Sequence, residues 1–224
     1  MDIIPSRVFA PIYIVFDCLC LLILALMLFL SHRRRALVTG LLAGLLYFAV
    51  DYGIFYLALG ARVVKGAPTG PFLFWLSMSY GFTNFSWIYL MLSRDGKRVE
   101  WSLYILLYWL AVPLLSQNFG GEATIMIYRT TGGYHGVMAL ILFIGYAILI
   151  FLNIFRDAKI DIPYLLFTGI AVQLGWEAML LVTGVRQSGL ATLFIDSLIE
   201  TNLGLPYMYF IHRAVEKRLG PEKG

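Results

Sequence analysis

Asp17, Asp51, Glu177, Asp196 and Glu200 stand inside stretches of this sequence that are otherwise apolar. An ionised side chain at the centre of a bilayer costs about 2.5–3.5 kcal/mol on insertion scales, so such groups face a protein interior or a wet cavity, where they bind, relay protons or catalyse. A carboxylic acid desolvated in an apolar site holds its proton to higher pH. It can then act as a general acid near neutrality. The residues around the acids fall on helical faces. Gly40, Gly44, Tyr47 and Asp51 share one face; so do Ser77, Tyr80, Asn84 and Trp87, and so do Gln173 and Glu177. Asp196 and Glu200 are one turn apart. Asn202 lies about 200° round from Glu200, so both enter one pocket only if Gly204 or Pro206 distorts the helix.

These patterns define a candidate site. Asp51, Glu177 and Glu200 are the candidate catalytic acids. Tyr80, Asn84, Trp87, Trp176, Asp196, Asn202 and Tyr207 are the candidate substrate contacts. Asp17 reads as a residue near a helix end that reaches the interface. His32 and His212 read as interfacial, and His135 sits at the start of an apolar stretch near the acids. No HExxH, paired CxxC, G-x-S-x-G or P-loop pattern is present, so no metal, nucleotide or other cofactor is expected. Cys18 and Cys20 point in nearly opposite directions on a helix and read as packing residues.

The elements that must position these groups are membrane helices. The chain of 224 residues is 60% hydrophobic, with a mean hydropathy of +0.81. A spanning helix needs about 20 apolar residues. Seven stretches qualify, at about 11–30, 36–60, 71–92, 99–117, 133–154, 160–185 and 189–212. The fourth is the weakest, since Pro113 and Ser116 shorten it. The expectation is an all-α integral membrane protein, a single seven-helix domain over 1–224. The Met-Asp-Ile-Ile start lacks a basic signal-peptide region, so the first stretch reads as a retained helix.

Basic residues set the orientation. Arg33, Arg34, Arg35, Arg94, Lys97, Arg98, Arg156, Lys159, Arg213, Lys217, Arg218 and Lys223 fall on one side, leaving Arg7, Arg62, Lys65, Arg129 and Arg186 on the other. The positive-inside rule then places the N-terminus outside and the C-terminus in the cytoplasm, in the cell membrane if the source is bacterial. The net charge of +4 follows from these clusters and calls for no nucleic-acid partner. The expected partners are the bilayer and a lipophilic small molecule, and the oligomeric state is open. A weak parallel repeat is also visible. Thr83-Asn84 and Thr201-Asn202 each precede a small residue and a Tyr; Asp51 precedes Gly60-Ala61-Arg62, as Glu177 precedes Gly184-Val185-Arg186. The repeat halves run about 11–92 and 133–212, with 99–117 as a linker, giving a three-one-three plan with a site near the repeat interface.

Two stretches carry a resemblance. Glu200-Thr-Asn-Leu-Gly204-Leu205-Pro-Tyr207-Met-Tyr209 resembles the last helix of the fungal transmembrane terpene cyclases of meroterpenoid and indole-diterpene pathways, where an acid precedes a Gly-Leu-x-Tyr-x-Tyr pattern. Phe48-Ala49-Val50-Asp51 resembles their second-helix Phe-Ala-Trp-Glu motif, with Val50 for the Trp and Asp51 for the Glu; Trp176-Glu177 restores that pair in a different stretch. The resemblance implies seven spans, acids that protonate an epoxide or alkene to start cyclisation, and a prenyl-type substrate entering from lipid. Aromatic faces at Tyr80, Trp87, Trp176 and Tyr207 would stabilise a carbocation. The alternative is transport or lipophilic-ligand binding. The three-one-three plan and the paired asparagines are similar to sugar transporters of the SWEET type, although the Pro-Gln motif of that superfamily is missing.

Overall fold

The structure is a computed structural model that describes residues 6–130, 134–187 and 189–220. The Met1–Ile4 start and Lys223 lie outside them. In chain order the elements are β1 (Arg7–Phe9), α1 (Pro11–Leu30), α2 (Arg34–Phe48), a π-helical continuation of α2 (Ala49–Ala58), β2 (Arg62–Lys65), α3 (Thr69–Leu92) and α4 (Arg98–Phe119). Then follow β3 (Ile125–Arg129), α5 (His135–Arg156), α6 (Ile162–Val182), α7 (Leu190–Ile199) and α8 (Leu205–Leu219).

Among the described residues, five helical segments are long and apolar enough to cross a membrane: Pro11–Leu30, Arg34–Ala58, Arg98–Phe119, His135–Arg156 and Ile162–Val182. The other two expected spans differ for separate reasons. α3 has the length, at 24 residues, but not the composition. It is the central helix, buried from Phe72 to Leu90 apart from Phe74 and Met78. A helix enclosed by protein need not be uniformly apolar, and α3 carries Ser77, Ser79, Thr83, Asn84 and Ser86, all buried. The last span is not one helix. α7 ends at Ile199, residues 200–204 form turns, and α8 begins at Leu205 with Pro206 in its first turn.

α2 and α3 pack backbone to backbone. A Cβ on Gly81 would fall 2.6 Å from the Gly44 Cα, and one on Gly40 would fall 2.1 Å from the Ser86 Oγ. This is the close approach that a small-xxx-small pair permits, and Ser86 uses it to donate to the Ala36 carbonyl at 3.1 Å. Beyond Phe48 the helix widens. π-helical turns bring residues four apart closer to alignment than α turns do, and Phe48, Tyr52 and Tyr56 form a ladder with centroids 5.3 Å apart at each step.

The chain is helical, as expected, with one addition. A small antiparallel sheet in the order β1-β3-β2 closes one end of the bundle. Residues 185–187 run beside β1, with Val8 N bonded to Val185 O at 2.8 Å. The strands are only three to five residues long, too short for a clear period-two signal. The opposite end gathers the basic loops: Arg33 bonds Asp95, Arg94 bonds Asp161, Arg35 bonds the Gly220 carbonyl and Ser93 bonds His212.

Candidate functional site

The carboxylates of α6 and α7 sit beneath the sheet, and arginines from the sheet reach down to them. Arg7 donates to Glu177 Oε1 at 2.8 Å. Arg186 donates to Glu177 Oε2 and, at 2.5 Å, to Asp196 Oδ2. His135 Nε2 lies 3.6 Å from Asp196 Oδ1. Glu177 has no exposed surface. An ionised carboxyl in such a place is tolerated when paired and hydrogen-bonded, which two guanidinium groups supply here. Arg7 and Arg186 thus turn inward onto buried carboxylates. Arg62 faces Arg129 across the β2–β3 ladder, and Arg7 faces Arg186 across an isolated bridge.

Gln173 joins this cluster to the bundle centre. Its nitrogen donates to Glu200 Oε2 at 2.9 Å and to Glu177 Oε1 at 3.3 Å. Its oxygen accepts from Tyr80 at 2.6 Å and from Thr201. The amide is therefore held in one orientation. The Tyr80 ring in turn meets Tyr47 at 4.9 Å and Trp176 at 5.9 Å between centroids. Glu200 stands at the first residue past α7, where the break turns Thr201 toward Gln173. No ion pair to Glu200 is present among the described residues, and Gln173 engages only one of its oxygens.

Glu177, Asp196 and Glu200 offer oxygens within 4.8 Å of one another, close enough to share a divalent cation. Arg7 and Arg186 already occupy two of these carboxylates, so guanidinium groups balance the local charge.

Asp51 has a separate partner. Arg62 donates to its Oδ1 at 2.7 Å, while Oδ2 is buried without a hydrogen bond. Asp51 was expected to share a cavity with Glu200. The structure gives the two acids different partners, and no described hydrogen bond joins them. The path between them runs through Tyr47, one turn from Asp51, and Tyr80. A cavity of about 340 Å³ lies at the sheet end, lined by Val8, Ala10, Ser116, Gln117, Gly184, Val185 and Gln187.

The remaining candidates divide. Trp176 is buried between Tyr80 and Trp109, beneath Arg7 at 5.8 Å. Asn84 is wholly buried, and neither end of its amide has a partner. Trp87 points toward α4, where its indole donates to Ser102 at 2.7 Å. Asn202 does not enter the carboxylate cluster. With the amide turned to match its neighbours, its nitrogen donates to the Leu166 carbonyl at 3.1 Å and its oxygen accepts from Ile170 N at 3.2 Å, and a Cβ on Gly169 would collide with this side chain. The break frees Asn202 to clamp α6, and Thr201 enters the cluster in its place. Tyr207 lies on the outer face of α8, 43% exposed and near Gly145.

Asp17 differs from Asp51, Glu177 and Asp196, each of which pairs with an arginine. It was expected at an interface, but it is fully buried. Trp75 donates to it at 2.8 Å, Ser79 at 3.1 Å, and Tyr108 gives a third bond. Neutral donors alone satisfy it, which fits a structural lock between α1, α3 and α4.

No protein-family model, curated protein or solved structure matches this chain. The site must be read from its own chemistry.

Proposed function

We propose that the protein is a membrane-embedded acid catalyst, a cyclase or isomerase that starts its reaction by protonating a lipophilic prenyl-type substrate from Glu200. One observation carries this reading. Three carboxyls lie together, two arginines contact two of them, and Glu200 is left bonded to an amide instead. Gln173 takes Oε2, and Oε1 has no hydrogen bond to a described residue, so a proton held there can point at a ligand. Glu177 and Asp196, fixed by guanidinium groups, serve as the charge framework. Asp51 is held by Arg62 and acts as a second polar wall. Tyr47, Tyr80 and Trp176 supply aromatic faces near Glu200 for a cation formed after protonation. The terpene cyclase resemblance of residues 200–209 supports the same assignment.

In this reading the chain crosses the bilayer seven times, with α3 as an enclosed helix and α7–α8 as a broken one. The sheet end lies outside and the basic-loop end in the cytoplasm. Broken helices at membrane depth are tolerated where protein or a cavity surrounds them. That same break favours the second reading, transport, since transporter sites are built on interrupted helices.

Incubation of the purified protein with terminally epoxidised farnesol, followed by mass spectrometry and chromatography of the products, tests the first reading. A cyclised isomer of unchanged mass is expected. Unchanged substrate, together with uptake of a polar solute into vesicles that Asn84→Ala and Asn202→Ala weaken, would favour the second. Single cysteines at positions 3 and 222 should label from opposite sides of the membrane; labelling from one side would end the seven-span arrangement.

A further inference from the structure

Three residues with unpartnered buried polar groups stand on the packed helices α3, α4 and α6. Both amide atoms of Asn84, the indole nitrogen of Trp109 and that of Trp176 are buried and make no hydrogen bond. Asn84 lies on α3 between Tyr80, four residues before it, and Trp87, three after. Tyr80 packs on Trp176, and Trp87 on Trp109, with centroids 5.9 Å and 5.7 Å apart. The rings of Trp109 and Trp176 meet at 5.1 Å. Phe85, the next residue along α3, lies against Gly204 in the helix break. Asn84 therefore shares an α3 face with Tyr80 and Trp87, the two rings that pack on Trp176 and Trp109.

Buried polar groups are almost always hydrogen-bonded, and each exception calls for a reason. Leucine would fill the place of Asn84 without that cost. Together the three residues offer four N–H hydrogens and one amide oxygen. Among the described residues no charged side chain is hydrogen-bonded to any of them, and Arg7 meets only the ring of Trp176. Donors in excess, one acceptor and aromatic walls suit an uncharged oxygen, and a hydroxyl uses both halves of the amide.

We infer that Asn84, with the indoles of Trp109 and Trp176, forms a subsite that binds a neutral hydroxyl of a lipophilic ligand, separate from the carboxyl group of Glu200. The inference deepens the proposed function, on which it rests for the isoprenoid character of the ligand. Asn84 acts here as a specificity residue: it selects an oxygenated ligand over its hydrocarbon counterpart and holds that end away from the acid.

The test compares farnesol with farnesene, by thermal shift and by tryptophan-fluorescence titration of the detergent-purified full chain. Wild type should bind farnesol about tenfold to a hundredfold more tightly, because a subsite built to hydrogen-bond a hydroxyl rejects the analogue that lacks it. Asn84→Leu should bind the two alike and should melt at a higher temperature without ligand. Trp176→Phe, which keeps the ring and removes one donor, should lower the preference about threefold, so the subsite is tested even if the leucine variant folds poorly. Absence of the preference in wild type, including binding of neither probe, would overturn the inference, as would an equal preference in Asn84→Leu and wild type. Glu200→Gln should keep the farnesol preference while losing turnover. The binding ratio therefore judges the subsite and turnover judges the acid, each independently.

Discussion

The ends of α2 and α6 are built alike and used differently. In each, an acid precedes a helix terminus, a glycine follows at positive φ (Gly60 at 60°, Gly184 at 73°), and an arginine turns back onto the acid. In each, a backbone N–H just past the glycine returns to the carbonyl six residues earlier, from Ala61 to Phe55 and from Arg186 to Leu180. The difference lies in what surrounds the pair. Arg62 serves Asp51 alone and leaves one carboxylate oxygen without a bond. Arg186 serves Glu177 and Asp196 together, Arg7 adds a second cation to Glu177, and Gln173 ties the group to Glu200. One local device thus yields an isolated ion pair at α2 and a shared charge network at α6. Only the network adjoins a broken helix and a carboxyl that no arginine contacts.

The comparison breaks most visibly at the arginines. Removing one partner of a buried ion pair costs about 3–5 kcal/mol, since the other charge is stranded. Arg186→Met strips Asp196 of its arginine and leaves Glu177, wholly buried, to Arg7 alone, and should fall at the top of that range. Arg62→Met should fall at the bottom, because the Asp51 side chain keeps 12% of its surface accessible whereas that of Glu177 keeps none. Thermal unfolding in detergent reads both; an equal loss would mean that the two devices carry equal charge burdens.

The glycines sharpen the likeness. A Cβ at Gly60 or Gly184 meets nothing within 4 Å, so only the left-handed backbone resists it. Gly60→Ala and Gly184→Ala should each cost about 1–2 kcal/mol, and by similar amounts. A much larger loss at one of them would show that its turn does more than reverse the chain.

The smallest effect is expected at the far end of the bundle, where Arg33 grips Asp95 at 2.9 Å. Burial alone would raise the Asp95 pKa, but hydrogen bonds from Arg33 and the Lys97 amide outweigh it and hold the carboxyl below its usual value. A group depressed in the folded state stabilises above its unfolded pKa of about 3.9. That contribution is lost as pH falls through the lower folded value. Asp95→Asn should flatten the acid limb of a melting-temperature profile below about pH 4, and an unchanged limb would remove Asp95 from the account.

Much of this was legible in the sequence. The acids stood out against apolar surroundings, and the Gly40–Gly44 face announced the close packing of α2 on α3. Gln173 was visible on the same face as Glu177. The arginines were read as charges on the outer side, because nothing local ties Arg7 to an acid 170 residues away. The Gly-x-Arg endings were noticed as a repeat, but their ion pairs required the fold. The π-helical turn after Phe48 and the break after Ile199 change which residues share a face. Asn202 was picked out by the Thr-Asn repeat and by an expected distortion of the helix; the break is present, but it delivers Thr201 to Gln173 instead. One polar face of α3 was read from Ser77, Tyr80, Asn84 and Trp87, but its burial on nearly every side, which accommodates Ser79, Thr83 and Ser86 as well, required the fold.

The central claim is that Glu200 delivers the proton. Its most direct test is turnover of terminally epoxidised farnesol by Glu200→Gln, with thermal unfolding checked on the same preparation. The amide nearly preserves shape but cannot donate an acid proton. The account predicts a loss of about a hundredfold or more with an unfolding temperature close to that of wild type. Turnover at the wild-type rate in folded Glu200→Gln would contradict it.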